Sequence, residues 1–276
     1  SVGFMLFFRI TGIEKLNNVD TIKTFFPFAY NQYWFMTAYL YLMVLTPFIN
    51  KLLNVLKQQD YKKMIVVLTI FLVVIPTIFY TNGMIGSTLT PIGVILFVYL
   101  YIIGGYIKLY GIKCFENKKA KNMFLIVSGY VIITCLVLIG KKLEQYNVFW
   151  NKIFEYYREL NSIFILIPSI SLFYIFKEID IGCNKIINYF ASISLGVYLF
   201  HESNFMRYRL WHEIFTIEKI QKLPGGVITG LVISIVLFYA ITAFIEFFRI
   251  NLIEKNILKS KTINRLFNKL NNYMSI

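Results

Sequence analysis

Apolar residues fall in long runs, and charged residues are confined to the segments between them. No Asp, Glu, Lys or Arg occurs from Thr24 to Asn50, from Met64 to Ile107, from Asn122 to Gly140, from Leu160 to Phe176, from Ile186 to Phe200 or from Leu223 to Ile245. The second run has a polar break at Thr81-Asn82-Gly83. A helix rises ~1.5 Å per residue, so about 20 residues cross a ~30 Å hydrocarbon core. Only helices and closed barrels satisfy their backbone groups in lipid. The runs lack the strict alternation of a barrel strand, so the pattern predicts an all-α, polytopic transmembrane helical bundle. Seven spans are expected at Tyr33–Leu53, Met64–Tyr80, Pro91–Ile107, Met123–Gly140, Asn161–Phe176, Ile187–His201 and Val227–Phe248. The fifth is expected to be interrupted at Pro168, because an interior proline removes a backbone hydrogen bond. The apolar stub Gly3–Phe8 reads as the tail of a further helix, and the chain as amino-terminally truncated.

Composition agrees: 58% of the 276 residues are hydrophobic and 15% charged, against roughly 25% charged in soluble domains. The net charge of +14 is explained by basic loops on an anionic leaflet rather than by nucleic acid. The segments Lys51–Lys63, Lys108–Lys121, Lys177–Lys185 and the tail from Arg249 hold 17 basic and 5 acidic residues; the alternate segments hold 11 and 8. The first set is therefore expected in the cytoplasm, with the carboxy terminus inside and His201 near the outer face. Glu246 is expected to reach the interface from the inner end of its span. The chain reads as one domain over 1–276, with 249–276 as an amphipathic cytoplasmic tail. Tyr146–Tyr157 and Phe205–Phe215 carry aromatic and charged residues together and read as interfacial. The three cysteines show no metal or disulfide spacing, and neither a metal motif nor a phosphate-binding loop is present.

Among residues able to carry chemistry, His201 and Glu202 form a titratable pair at the mouth of a span, where such groups usually face a cavity. Histidine exchanges protons near neutral pH; the alternative reading of the pair is a simple membrane boundary. Arg207 and Arg209 suit an anionic group such as a phosphate, or a solvated interface. Tyr33, Trp34 and Trp211 read, on their residue types alone, as members of an aromatic belt. Lys57 and Lys62 read as topological signals of an inner loop.

Two stretches carry a resemblance. Tyr33-Trp34-Phe35-Met36-Thr37-Ala38-Tyr39-Leu40-Tyr41-Leu42, continuing to Thr46-Pro47-Phe48-Ile49-Asn50, is similar to an early span of the membrane acyltransferase-three family. Ala191-Ser192-Ile193-Ser194-Leu195-Gly196-Val197-Tyr198-Leu199-Phe200-His201-Glu202 resembles a late one. Arg207 and Leu210-Trp211 match residues usual in the bacterial surface-polysaccharide branch. The resemblance implies an integral O-acyltransferase of the bacterial cell membrane. It would move an acetyl group from acetyl-CoA, without a metal, to a hydroxyl of a capsular or other surface glycan or of its lipid-linked precursor. His201 and Glu202 would be catalytic residues that line the outer end of the cavity and orient the acceptor, with Arg207, Trp34, Tyr33 and Trp211 binding substrate; the principal base would be a histidine of the family's first span. The family's histidine in its first span, preceded by a basic residue about ten positions earlier, has no counterpart in this sequence. Alternative readings are a polysaccharide flippase or other carrier, a glycan polymerase, and a non-catalytic remnant; the absence of repeated halves and the short outer loops count against the first two.

Overall fold

A computed structural model describes residues 18–28, 30, 32–79, 91–221, 226–254 and 259–274. These residues form helices, turns and loops, and no strand is present among them. In chain order the helices are α1 (Asn18–Phe25), α2 (Trp34–Val55), α3 (Gln58–Phe79), α4 (Pro91–Tyr110), α5 (Lys119–Leu143), α6 (Val148–Tyr156), α7 (Ile163–Lys177), α8 (Lys185–His201), α9 (Asn204–Arg209, continued by a π turn, Leu210–Ile214), α10 (Ile217–Gln221), α11 (Gly226–Phe248, continued by a π turn, Arg249–Glu254) and α12 (Lys261–Met274). The stub Gly3–Phe8 and the break Thr81-Asn82-Gly83 lie outside the described residues.

Five helices are long and apolar enough to cross a membrane: α2, α3, Gly93–Tyr110 of α4, α5, and Gly226–Leu252 of α11. The fifth and sixth expected spans are helices of 15 and 17 residues. They measure about 22 and 26 Å, short of a ~30 Å core. The side chains turned away from the protein are apolar, such as Ile228, Phe244, Phe124 and Phe71, as a lipid-facing surface requires. The described residues divide into two compact units, one from 1–40 and 183–276, the other from Tyr41–Gly182; α2 begins in the first and continues in the second.

In the second unit, prolines and hydroxyls govern how helices meet. Pro76 lacks the N–H that would bond the Leu72 carbonyl. A π turn, Ile70–Val74, precedes it, and Asn161 Nδ2 donates to the Leu72 carbonyl at 3.4 Å. Thr77 Oγ1 donates to the Val73 carbonyl at 2.6 Å and accepts from the Ile163 N–H at 3.1 Å, satisfying one orphan donor at the start of α7. Pro168 does not interrupt α7, contrary to the expected break: the helix runs through it. Gly129 of α5 allows this, since a Cβ there would stand 2.3 Å from Pro168 Cγ and 3.4 Å from the Phe164 carbonyl oxygen that the proline leaves without its helical donor. The core of this unit is Val73, Leu96, Tyr99, Ile103, Ile107, Leu166 and Tyr174.

In the first unit, α8 packs on α11, and α9 and α10 follow the end of α8. The tail differs from the single amphipathic helix expected from Arg249 onward. Its first part continues α11 as a π turn, and α12 starts at Lys261. Leu266, Phe267 and Leu270 of α12 remain exposed. All three cysteines are free and exposed.

Candidate functional site

The site is built at the carboxy-terminal end of α8. Asn184 caps its start, its side chain accepting from the Ile186 and Ile187 N–H groups at 2.9 and 3.1 Å. Seventeen residues later the helix ends at His201, with Glu202 as its cap residue. His201 Nδ1 lies 2.9 Å from the Val197 carbonyl oxygen. A carbonyl only accepts, so this contact assigns the proton to Nδ1 and leaves Nε2 as the nitrogen presented outward. Nε2 is 3.5 Å from Glu202 Oε1, and Glu202 Oε2 is 3.6 Å from Arg207 Nη1. The chain returns Arg207 to Glu202 because Ser203 starts α9: its carbonyl accepts from the Met206 and Arg207 N–H groups at 2.9 and 2.8 Å. Glu202 thus stands between His201 and Arg207, its side chain 16% exposed where that of Arg207 is 64% exposed.

One turn before His201, Tyr198 joins α8 to the start of α2. Its Oη accepts from the Phe35 N–H at 3.2 Å. That N–H is in the first turn of α2, where backbone donors have no helical partner. The Tyr198 ring stands edge-on to His201, with centroids 5.7 Å apart, and lies 5.6 Å from Phe35 and 6.2 Å from Tyr33. Phe238 of α11 meets the other side of His201 at 6.3 Å. Between α2 and α8 lies an open cavity of about 640 Å³, lined by Trp34, Phe35, Met36 and Tyr39 on one side and by Ser194, Leu195, Tyr198, His201 and Glu202 on the other. Ser194 Oγ donates to the Ala191 carbonyl at 2.7 Å, which leaves its lone pairs free to accept from within.

Of the residues singled out in the sequence, Trp34, His201 and Glu202 therefore line one cavity, and Arg207 pairs with Glu202 at its edge. Tyr33 is 3% exposed and does not line it; it backs the Tyr198 ring. The backbone of Trp211 lies in the π turn after α9, and its side chain lies outside the described residues. Glu246 differs from expectation. It is not exposed but lies buried against α8, 6% exposed. A Cβ on Gly196 would stand 1.9 Å from its carboxyl carbon, so only glycine leaves room. Arg249 Nε binds Glu246 Oε2 at 2.7 Å, giving the buried carboxylate the partner it requires. Tyr198, Gly196 and the Glu246–Arg249 pair were not identified as site residues from sequence. The available signals were a carboxylate inside an apolar run and an arginine three residues later on the same face.

The sequence model of the acyltransferase-three family, described as an acyltransferase domain, matches residues 1–243. The chain belongs to that family. It is a membrane acyltransferase, and the two family-like stretches are the segments that wall the cavity, the start of α2 and the end of α8. No curated protein and no solved structure matches the chain.

Proposed function

We propose that this acyltransferase moves an acetyl group from acetyl-CoA to a hydroxyl of a bacterial surface glycan or its lipid-linked precursor, and that the cavity between α2 and α8 receives the acceptor. The observation that carries the reading is the juxtaposition of an accessible indole, Trp34, with the His201–Glu202–Arg207 chain across one cavity. A sugar offers an apolar ring face, which stacks on an aromatic side chain, and hydroxyls, which need a few placed polar groups.

In this reading His201 Nε2 accepts the hydrogen bond of the acceptor hydroxyl. As the hydroxyl oxygen attacks the acyl carbonyl carbon, its proton passes toward Nε2 and the bond to the leaving thiolate breaks. Glu202 stabilises the imidazolium so formed, and Arg207 holds Glu202 in place. Tyr198 and the Phe35 N–H keep the Trp34 wall at its distance from His201. The balance of basic residues between alternate loops favours a cell-membrane protein with its carboxy terminus in the cytoplasm and the His201 end outside, the side on which a surface glycan is displayed.

The test uses cells that make the full protein, with surface glycan isolated and its ester-bound acetate released by mild base. The wild type yields acetate, and His201→Ala at equal membrane abundance yields on the order of a hundredfold less. Unchanged acetate in His201→Ala would overturn the assignment of His201. Absence of ester-bound acetate in the wild type would overturn the glycan O-acetylation reading itself.

A further inference from the structure

The second unit holds a cavity of about 770 Å³ that the acceptor site does not use. It is bounded by α3, α4, α7 and the loop after α4. Its interior is apolar, formed by Ile65, Ile103, Leu166 and Ile170. The two polar groups deep inside satisfy each other: Thr69 Oγ1 donates to the Ile65 carbonyl at 2.7 Å, and Tyr99 Oη lies 2.8 Å from Thr69 Oγ1. With these two groups satisfied, hydrocarbon fits beside them without leaving a polar group unpaired.

The mouth is different. Gln58, Gln59, Lys62 and Lys113 stand around it, and no acidic residue lines it. Among the described residues neither Lys62 nor Lys113 pairs with a carboxylate. Glu116 is the acid nearby in the chain, its carboxylate packed against Gly111. The Lys113 loop is held in place: the Ile112 N–H donates to Tyr174 Oη at 2.6 Å, the Asn117 N–H to Glu178 Oε1 at 2.7 Å, and Lys121 Nζ to the Cys114 carbonyl at 3.1 Å. From Gln58 to Thr69 the cavity follows α3 for about 16 Å. Val66 of α3 and Ile167 of α7, 48% and 36% exposed, form an apolar rim. An opening with an apolar rim on the spanning helix α3 and the apolar helix α7 faces hydrocarbon, and a mouth with two lysines faces headgroups.

We propose that this cavity binds one anionic bilayer phospholipid, with an acyl chain between α3 and α7 and the phosphate between Lys62 and Lys113. The volume lies within the ~300–1,000 Å³ usual for small-molecule sites, and paired lysines at a membrane surface favour anionic headgroups. The proposal does not depend on the acceptor or on the chemistry at His201.

Cys114 lines the same cavity and is exposed, so its thiol reports occupancy. The full chain carrying Cys135→Ser and Cys183→Ser is placed in nanodiscs of phosphatidylcholine, with or without phosphatidylglycerol, and reacted with N-ethylmaleimide. Phosphatidylglycerol is expected to slow labelling of Cys114 about tenfold. Lys62→Glu with Lys113→Glu is expected to abolish that protection. Lys118→Glu with Lys119→Glu, the same charge change at the start of α5 and outside the cavity, is expected to keep it. Val66→Trp, at an exposed rim position that places no demand on the core, is expected to restore fast labelling with the lysines intact. Equal labelling in the two lipid compositions would overturn the proposal. So would protection by acetyl-CoA alone in phosphatidylcholine with no effect of phosphatidylglycerol, which would mark the cavity as a donor site.

Discussion

Two cavities among the described residues, of about 640 and 770 Å³, are similar in size and opposite in chemistry. At the first, His201, bonded to the Val197 carbonyl, stands in line with Glu202 and Arg207 beside an exposed indole. At the second, the interior polar groups are bound to each other and the cations stand unpaired at the mouth. The first arrangement orients a polar molecule and handles a proton; the second accommodates hydrocarbon and an anion. Volume does not separate them. What separates them is where hydrogen-bonding capacity has been left unused.

The largest expected effect tests the frame of the first cavity. Gly196→Leu drives a side chain into the Glu246 carboxylate and is expected to destabilise the protein by about 4 kcal/mol, seen as a loss of the folded species on heating in detergent. Gly104→Leu in the second unit, where a Cβ meets nothing within 4 Å, is expected to stay within about 1 kcal/mol. Equal losses would show that Gly196 has no special role. Arg249→Ala comes next. It leaves Glu246 buried without its partner at a cost of about 3 kcal/mol, and adding Glu246→Gln is expected to recover most of it; no recovery would mean that the ion pair is not what Arg249 supplies.

His201→Gln then separates the two cavities functionally. It is expected to lower acetyl transfer on the order of a hundredfold while leaving lipid protection of Cys114 unchanged. Trp34→Ala is expected to raise the KM for the glycan acceptor about tenfold with little change in kcat, and Trp34→Phe to restore most of it. The smallest effect belongs to Tyr198→Phe, which removes the acceptor of the Phe35 N–H. About 1 kcal/mol is expected, read as a rise of several-fold in acceptor KM.

Charge gaps made the long helices legible, because lipid tolerates neither charge nor unpaired backbone over a span. The same logic placed α7 and α8 to within two residues at each end, since the charges that bound their apolar runs, Lys177 and Lys185, are taken into the helices. His201 and Glu202 were legible as a pair because they are adjacent in the chain, while Arg207 was read with Arg209 as a holder of an anionic group and not as the partner of Glu202. Their relation to Trp34 was carried only by the family resemblance. The contact that creates it, between Tyr198 Oη and the Phe35 N–H, links residues 163 positions apart, and no periodicity reports such a bond. Glu246 and Gly196 were each visible as anomalies in apolar helices. That one occupies the space the other leaves is a fact of helix packing, with no local signature in either segment.

The central claim is that the cavity between α2 and α8 is where the acceptor hydroxyl meets its acyl group. The most direct test is transfer of labelled acetyl from acetyl-CoA to isolated surface glycan by the purified full chain in lipid nanodiscs, comparing wild type with His201→Ala. The account predicts transfer by the wild type and a fall on the order of a hundredfold in kcat for the variant, with the folded protein retained. Equal kcat in the two proteins would contradict it.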